Sequence, residues 1–249
     1  MATARTLVVQ SCPNVGQDHW LARCTNSVAD WAQRSGFEYR LTGDEVLAGV
    51  PDWYREKTAG RLPIQFDLVR LQLIEQALEE GFGRACWIDA DVLLFRPQHL
   101  KLDYRGDCAF GREYWVQGEA GGRFKVRRNV HNAICSFDVG SPVLTFLRHA
   151  TMRVIERADP RRIAPQMVGP KLLSALHSIV GFELLESVGA FSPWVLDDLM
   201  AADGPALRAQ RGTNGVPLAG VNLCGSLAGD RDLTAVCEAL LAGISWPEE

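Results

Sequence analysis

Two aspartates separated by a single residue, Asp89 and Asp91, follow directly on the apolar run Ala85-Cys86-Trp87-Ile88. Carboxylates placed so closely at the end of a buried strand can both approach one cation, and hard cations such as magnesium and manganese prefer oxygen ligands. Magnesium in particular is held by one or two carboxylates together with substrate phosphates. A cation held this way suits a reaction in which a diphosphate leaves, because it neutralises the charge that develops there. Taken alone the triplet has a plainer reading, a polar strand end with capping aspartates. Its surroundings favour chemistry: Trp87-Ile88 precede it and Val92-Leu93-Leu94 follow, and ionised carboxylates beside a core are costly unless paired or liganded.

The elements that must position this pair come next. Ile64, Leu68, Leu71, Ile74 and Leu78 recur at helical spacing and Gly81 closes the pattern, predicting a helix over 64–80. That helix carries Asp67 and Arg70 one turn apart. Two readings are open for them. They form an ordinary helix ion pair, or Asp67 binds a sugar or ribose hydroxyl while Arg70 turns its planar fork of donors to phosphates. Before this helix, Leu7-Val8-Val9 predicts a strand and Gln10-Ser11-Cys12-Pro13-Asn14 a turn. Asp18 is placed to cap a helix running to Ser35, with Trp20, Cys24, Val28 and Trp31 on one face, and Phe37 to Leu41 alternates as a second strand. Residues 42–62 lack a period. After the acidic pair, Cys108 to Phe137 suggests short strands and loops. Ser141-Pro142 opens a helix to Ala158, Gly169-Pro170 opens one to His177, Phe182 to Leu185 predicts a strand, and Asp232 to Ile244 a last helix. Strands alternating with helices predict an α/β fold with a central mixed, mostly parallel sheet flanked by helices. Ligands of such sheets bind beyond the carboxyl ends of strands, where Asp89 and Asp91 fall. No repeat or linker divides residues 1–249, so one domain is expected.

The stretch Phe66-Asp67-Leu68-Val69-Arg70-Leu71 followed by Trp87-Ile88-Asp89-Ala90-Asp91 resembles the DXD-containing glycosyltransferases of the GT-A fold. It is most similar to the sugar-binding-region group that includes fungal initiating mannosyltransferases and glucosylating toxins. Three later segments follow that group's order: Asn132-Ala133-Ile134 with Gly140-Ser141-Pro142, then Val168-Gly169-Pro170-Lys171-Leu172-Leu173, then Asn222-Leu223-Cys224-Gly225-Ser226. Asn222 stands where the group usually has His, and Leu227 where it usually has Trp. The resemblance implies transfer of a sugar from a UDP- or GDP-sugar to an acceptor, with retention of configuration and with Mn2+ or Mg2+ on Asp89, Asp91 and Asn222. It places the donor against Gln10, Ser11, Asp67, Arg70, Asp89, Ala90, Asn132, Gly169, Pro170 and Lys171, with Gln166 near the donor sugar. An inverting reaction would instead need a carboxylate base. Asp197 and Asp198, after Phe191-Ser192-Pro193-Trp194, are the candidates, and surface aspartates at a helix start are their alternative.

Other classes fit less well. A nucleotidyltransferase would show a Gly-rich basic segment early, whereas Ser11-Cys12-Pro13-Asn14-Val15-Gly16 has no lysine after it. A haloacid-type phosphohydrolase has its Asp-x-Asp near the chain start. A degenerate member that binds a nucleotide-sugar or glycan without turnover is the non-enzyme alternative, which the departures at Asn222 and Leu227 favour. The formal net charge of -4 argues against a nucleic-acid partner. No apolar run approaches the ~18 residues a membrane span needs, and the start, Met1 to Gln10, turns polar too soon for a secretory signal. The seven cysteines, odd in number and widely spaced, are expected as reduced core residues, which suits a cytoplasmic protein. His19, His99, His131, His149 and His177 show no ligand spacing; His131, beside Asn132, is the one of interest. Tyr54, Tyr114, Trp115 and Trp194 are candidates to line an acceptor groove.

Overall fold

A computed structural model describes residues 5–243 of the chain. Met1 to Ala4 and Ile244, which sequence reading included in the start and the last helix, lie outside the described residues. The first strand, β1 (Thr6–Ser11), is apolar on both sides: Leu7 and Val9 enter one core cluster and Val8 another. Period-two alternation with no polar face is the mark of a strand covered twice. Strand β3 (Arg84–Ile88) repeats the pattern, sending Ala85 and Trp87 to one side and Cys86 and Ile88 to the other. Helix α1 (Trp20–Arg34) covers one face with Val28, Trp31 and Ala32. Helices α3 (Leu62–Glu79), α4 (Pro142–Arg157) and α5 (Pro170–Val180) cover the other with Leu71, Ile74, Leu144, Leu147 and Leu173.

Between α1 and α3 lie β2 (Glu38–Thr42), a 3-10 turn over Asp44–Gly49 and the short helix α2 (Asp52–Lys57). With β4 (Val92–Leu94), β5 (Cys108–Gly118), β6 (Phe124–Asp138) and β7 (Glu183–Leu185) the main sheet can be written out. Its order is β2-β1-β3-β6-β5-β7. The pairs β1/β2, β1/β3 and β5/β7 are parallel, while β6 runs antiparallel to both neighbours. A smaller sheet, β4-β9-β8, joins β4 to β8 (Val188–Ala190) and β9 (Gly220–Asn222). Helices α6 (Pro193–Met200), α7 (Pro205–Arg211) and α8 (Leu233–Leu241) share a core with it through Val195, Leu207, Val221 and Val236. The chain thus forms the expected α/β fold, a mixed and mostly parallel sheet flanked by helices. Among the described residues no helix is long and apolar enough to cross a membrane. All seven cysteines are free thiols, buried except for the partly exposed Cys224.

Several expectations need correction. Gln10 and Ser11 continue β1 instead of forming a turn, because parallel pairing with β2 extends to Ser11. His19, not Asp18, caps α1: its Nδ1 accepts from the Leu21 amide at 3.1 Å. Residues 108–137 form one long hairpin, β5–β6, whose registers run from Cys108↔Phe137 to Gly118↔Phe124. Asp197 and Asp198 lie in the second half of α6 and not at a helix start.

Candidate functional site

The acidic pair sits where the chain leaves the main sheet for the small one. Strand β3 ends at Ile88, the Val92 amide donates to the Asp89 carbonyl at 3.1 Å, and β4 begins. Asp89 and Asp91 are fastened separately. One oxygen of Asp89, Oδ1, accepts from the Trp87 indole at 2.6 Å and faces Arg70 Nη2 at 3.3 Å, and the side chain stays 24% exposed. The Asp89 amide donates to the Ala133 carbonyl at 2.7 Å. Asp91 is held from the small sheet: Oδ1 accepts from Asn222 Nδ2 at 2.9 Å and Oδ2 from the Gly225 amide at 3.0 Å. Burial first, and then the charge of Asp89, raise the Asp91 pKa to about 6.

Arg70 is the strut beneath the pair. It is buried, and its Nη1 meets Asp67 Oδ1 at 3.3 Å and donates to the Asn132 carbonyl at 3.0 Å. Burial opposes its charge, and Asp89 and Asp67 more than offset that, so its pKa rises above the ordinary value. Asp67 is 5% exposed and accepts from Asn132 Nδ2 at 2.8 Å. Burial raises its pKa to about 6 although Arg70 and Asn132 pull the other way. A bulge brings Asn132 there. Phe110 pairs with Cys135 but Gly111 with His131, so residues 132–134 lie outside the β5 ladder. Gly169, the residue before α5, closes over Asp67; a Cβ at that position would meet Asp67 Oδ1 at 2.8 Å. The fold therefore brings Asp67, Arg70, Asp89, Asn132 and Gly169 together in one network, with Asp91 and Asn222 on its other side.

Other predicted residues take different places. Gln10 is fully buried and spent at both ends, donating through Nε2 to the Asp89 carbonyl at 3.1 Å and accepting from the Tyr39 hydroxyl at 2.8 Å. Ser11 Oγ donates to the Gly43 carbonyl at 3.0 Å. Ala90 is partly buried in the turn between the aspartates. Gln166 and Lys171 are exposed, linked by the Lys171 amide donating to the Gln166 carbonyl at 3.1 Å, and Pro170 is the first residue of α5. The Asn222 side-chain oxygen accepts from the Cys224 amide at 2.6 Å, so its nitrogen, not its oxygen, faces Asp91. Asp197 chelates Arg231 through two bonds of 2.7 Å. Asp198 accepts from the amides of Ala206 and Leu207 at 2.6 and 3.1 Å, capping α7 from the preceding helix. Tyr54 is a core residue and Tyr114 is tied to Glu186, while Trp194 is 52% exposed and stands edge-on to Phe124.

Sequence reading missed Trp87 as a partner of Asp89, although an indole two residues before an acid is within reach only when strand β3 ends where it does. It also missed Glu113. That residue is buried on β5, where it accepts from Asn129 Nδ2 at 2.7 Å. Nothing in the local pattern marks it, because a glutamate between Arg112 and Tyr114 looks like an exposed strand residue.

No family model matches the chain, and no curated protein does. Among solved structures it is similar to a glycosyltransferase involved in the glycosylation of the major capsid of PBCV-1. That match is 11% identical with a TM-score of 0.48, over 95% of this chain and 98% of that one. It is also similar to the catalytic domain of Drosophila β1,4-galactosyltransferase 7, at 9% identity and a TM-score of 0.28, over 68% and 69% of the two chains. Mannose-1-phosphate geranyltransferase from Thermus thermophilus gives 11% identity and 0.30, over 64% and 66%. Similarity at this level assigns no role to any residue.

Proposed function

We propose that this chain is a metal-dependent glycosyltransferase of GT-A type that moves a sugar from a nucleotide-diphosphate donor to an acceptor. One observation carries the reading: two carboxylates, each fixed by its own partners, share the turn at the carboxyl end of a central strand. The donor set fits a divalent cation. Like charges lie side by side, the pKa of Asp91 is pushed up partly by Asp89, and Asp89 keeps a second oxygen beyond the one that Trp87 and Arg70 engage. Relief of that repulsion favours a cation on Asp89 and Asp91, with donor phosphates completing its shell. Such an ion, when bound, supplies positive charge to the leaving diphosphate. The chain's own part is to hold the two acids: Arg70 and Trp87 orient Asp89, and Asn222 and the Gly225 amide orient Asp91. Asp197 and Asp198, the sequence candidates for a base, are occupied by Arg231 and by α7, which supports the retention that the family resemblance implies.

A second reading, nucleotide-sugar binding without turnover, is favoured by the geometry at Asn222, whose oxygen is taken by the Cys224 amide. Calorimetry of the purified protein with UDP, GDP and their sugars, with and without manganese, tests the site. We expect manganese-dependent binding of one nucleotide, abolished in Asp89→Ala and Asp91→Ala. A folded wild type that binds no nucleotide with any divalent metal sinks the transferase reading. Turnover with an acceptor separates the enzyme from the binder.

A further inference from the structure

Asp89 is held from the main sheet and Asp91 from the small one, so a cation on both acids needs the two sheets fixed against each other. One buried side chain bridges them without touching either carboxylate. His131 is 3% exposed and stands on β6 at the bulge, where pairing with β5 resumes at Gly111. Its Nδ1 accepts from the Ala133 amide at 3.1 Å, and its Nε2 lies 3.0 Å from the Val188 carbonyl at the start of β8. An amide N–H only donates, so Nδ1 carries no proton and Nε2–H donates to Val188, which is the neutral ring. Burial lowers the pKa of this histidine and so favours that form, although Glu113 pulls the other way.

Each ring nitrogen leads to one of the acids. On the main-sheet side, the Ala133 carbonyl takes the Asp89 amide at 2.7 Å. Asn132, between His131 and Ala133, accepts from Arg70 and donates to Asp67. On the other side, Val188 opens β8, which pairs with β9 from Val188↔Gly220 to Ala190↔Asn222. Asn222 Nδ2 then donates to Asp91 at 2.9 Å.

The strand opposite is cleared for this ring. A Cβ on Gly111 would fall 2.1 Å from His131 Nε2 and 2.3 Å from Cε1, so a side chain there drives the imidazole off Val188. An imidazole suits the place because it accepts on one side and donates on the other across a rigid ring. An apolar residue would leave the Ala133 amide and the Val188 carbonyl without that partner.

Resting on the reading of Asp89 and Asp91 as a cation site, we propose that His131 is a positioning residue for that site. It sets the separation of the two carboxylates by clamping the bulge of the main sheet to β8. Metal–oxygen distances are short and narrow, about 2.0–2.1 Å for magnesium, so slack between the sheets is felt as lost affinity.

The test titrates the full chain with manganese, alone and with UDP or GDP present, and reads bound ion by electron paramagnetic resonance. Wild type is compared with His131→Leu, His131→Gln and Gly111→Ala, each shown by melting to be folded. Ile155→Ala, a truncation of a fully buried residue of α4, is the control for lost stability alone. We expect His131→Leu and Gly111→Ala to weaken manganese binding about tenfold, the scale of removing a group that orients metal ligands. His131→Gln, which can accept and donate at once, should recover most of that loss, and Ile155→Ala should bind as wild type does. Where His131→Leu does not fold, His131→Asn, too short to reach both partners, replaces it. Unchanged affinity in the leucine variant, or in the asparagine variant that replaces it, overturns the proposal and leaves the cation site standing. So does a glutamine variant as weak as that variant, or a loss in Ile155→Ala as large as theirs. A wild type that binds no manganese under either condition removes the cation site itself and the proposal with it.

Discussion

At the scale of single residues, the site depends on charges held in places they resist. Burial, the largest cause, raises the pKa of Asp67 from the ordinary carboxylate range to about 6. Its folded form therefore binds a proton more tightly than the unfolded chain does. The stability this group contributes is fully present below pH ~4 and is lost as pH rises through 6, on the order of 3 kcal/mol in total. Asp67→Asn should flatten that part of the profile. Urea melts of wild type and variant from pH 4.5 to 8 check it, and parallel profiles would show that Asp67 does not titrate in this window. Gly169 makes a second, steric claim. Gly169→Ala puts the new methyl against the Asp67 carboxylate, which a Cβ there would meet at 2.8 Å. A loss of about 1–3 kcal/mol is expected, the usual cost of overpacking, and a neutral result would mean that α5 shifts freely. Both residues were visible in the sequence by type and spacing. What could not be read there was direction: nothing in Asp67-Leu68-Val69-Arg70 says that the guanidinium turns inward to Asn132 instead of outward to phosphate.

Secondary-structure elements were legible in proportion to how simply they are buried. Helix α3 and strand β3 each serve the core with an unbroken apolar pattern, and both lie within a few residues of their predicted bounds. The β5–β6 hairpin hid because its outer half carries Arg123, Lys125, Arg127 and Arg128, and because a bulge breaks its register near Asn132. Tertiary pairing overrides so mixed a local pattern. Helices α6 and α7 hid for another reason: each is one or two turns long and begins at a proline. Their junction explains Asp198. With its carboxylate on the amides of Ala206 and Leu207, it does for α7 what an N-cap side chain does. Asp198→Ala should cost about 0.5–2 kcal/mol, by the measure of other lost caps. Asp197→Ala, which breaks an exposed pair with Arg231, should cost about 0–1 kcal/mol. Thermal melts compare the two. A large drop in donor affinity with unchanged stability, in either variant, would return these aspartates to the catalytic site.

For the whole molecule, the decisive feature is that the acidic pair spans two sheets. Asp89 belongs to the main sheet through the Ala133 carbonyl and Arg70, while Asp91 grips Asn222 and Gly225 at the end of β9. A ligand bound to both acids would tie the small sheet and its helices to the main one. The Gly225 amide reports this directly, because it donates to an Asp91 carboxylate oxygen that a cation bound there would also engage. In Asp91→Ala that amide loses its acceptor, and a lost hydrogen bond of about 1 kcal/mol implies roughly fivefold faster exchange. Adding manganese and a nucleotide to wild type should slow exchange over residues 220–225 and leave β1 and β3 as they were. If Asp91→Ala instead speeds exchange across β1 and β3, Asp91 is a keystone of the whole fold. Its conversion to a ligand site would then be the exception, because a carboxylate on which every strand depends has little freedom to trade its partners for a metal.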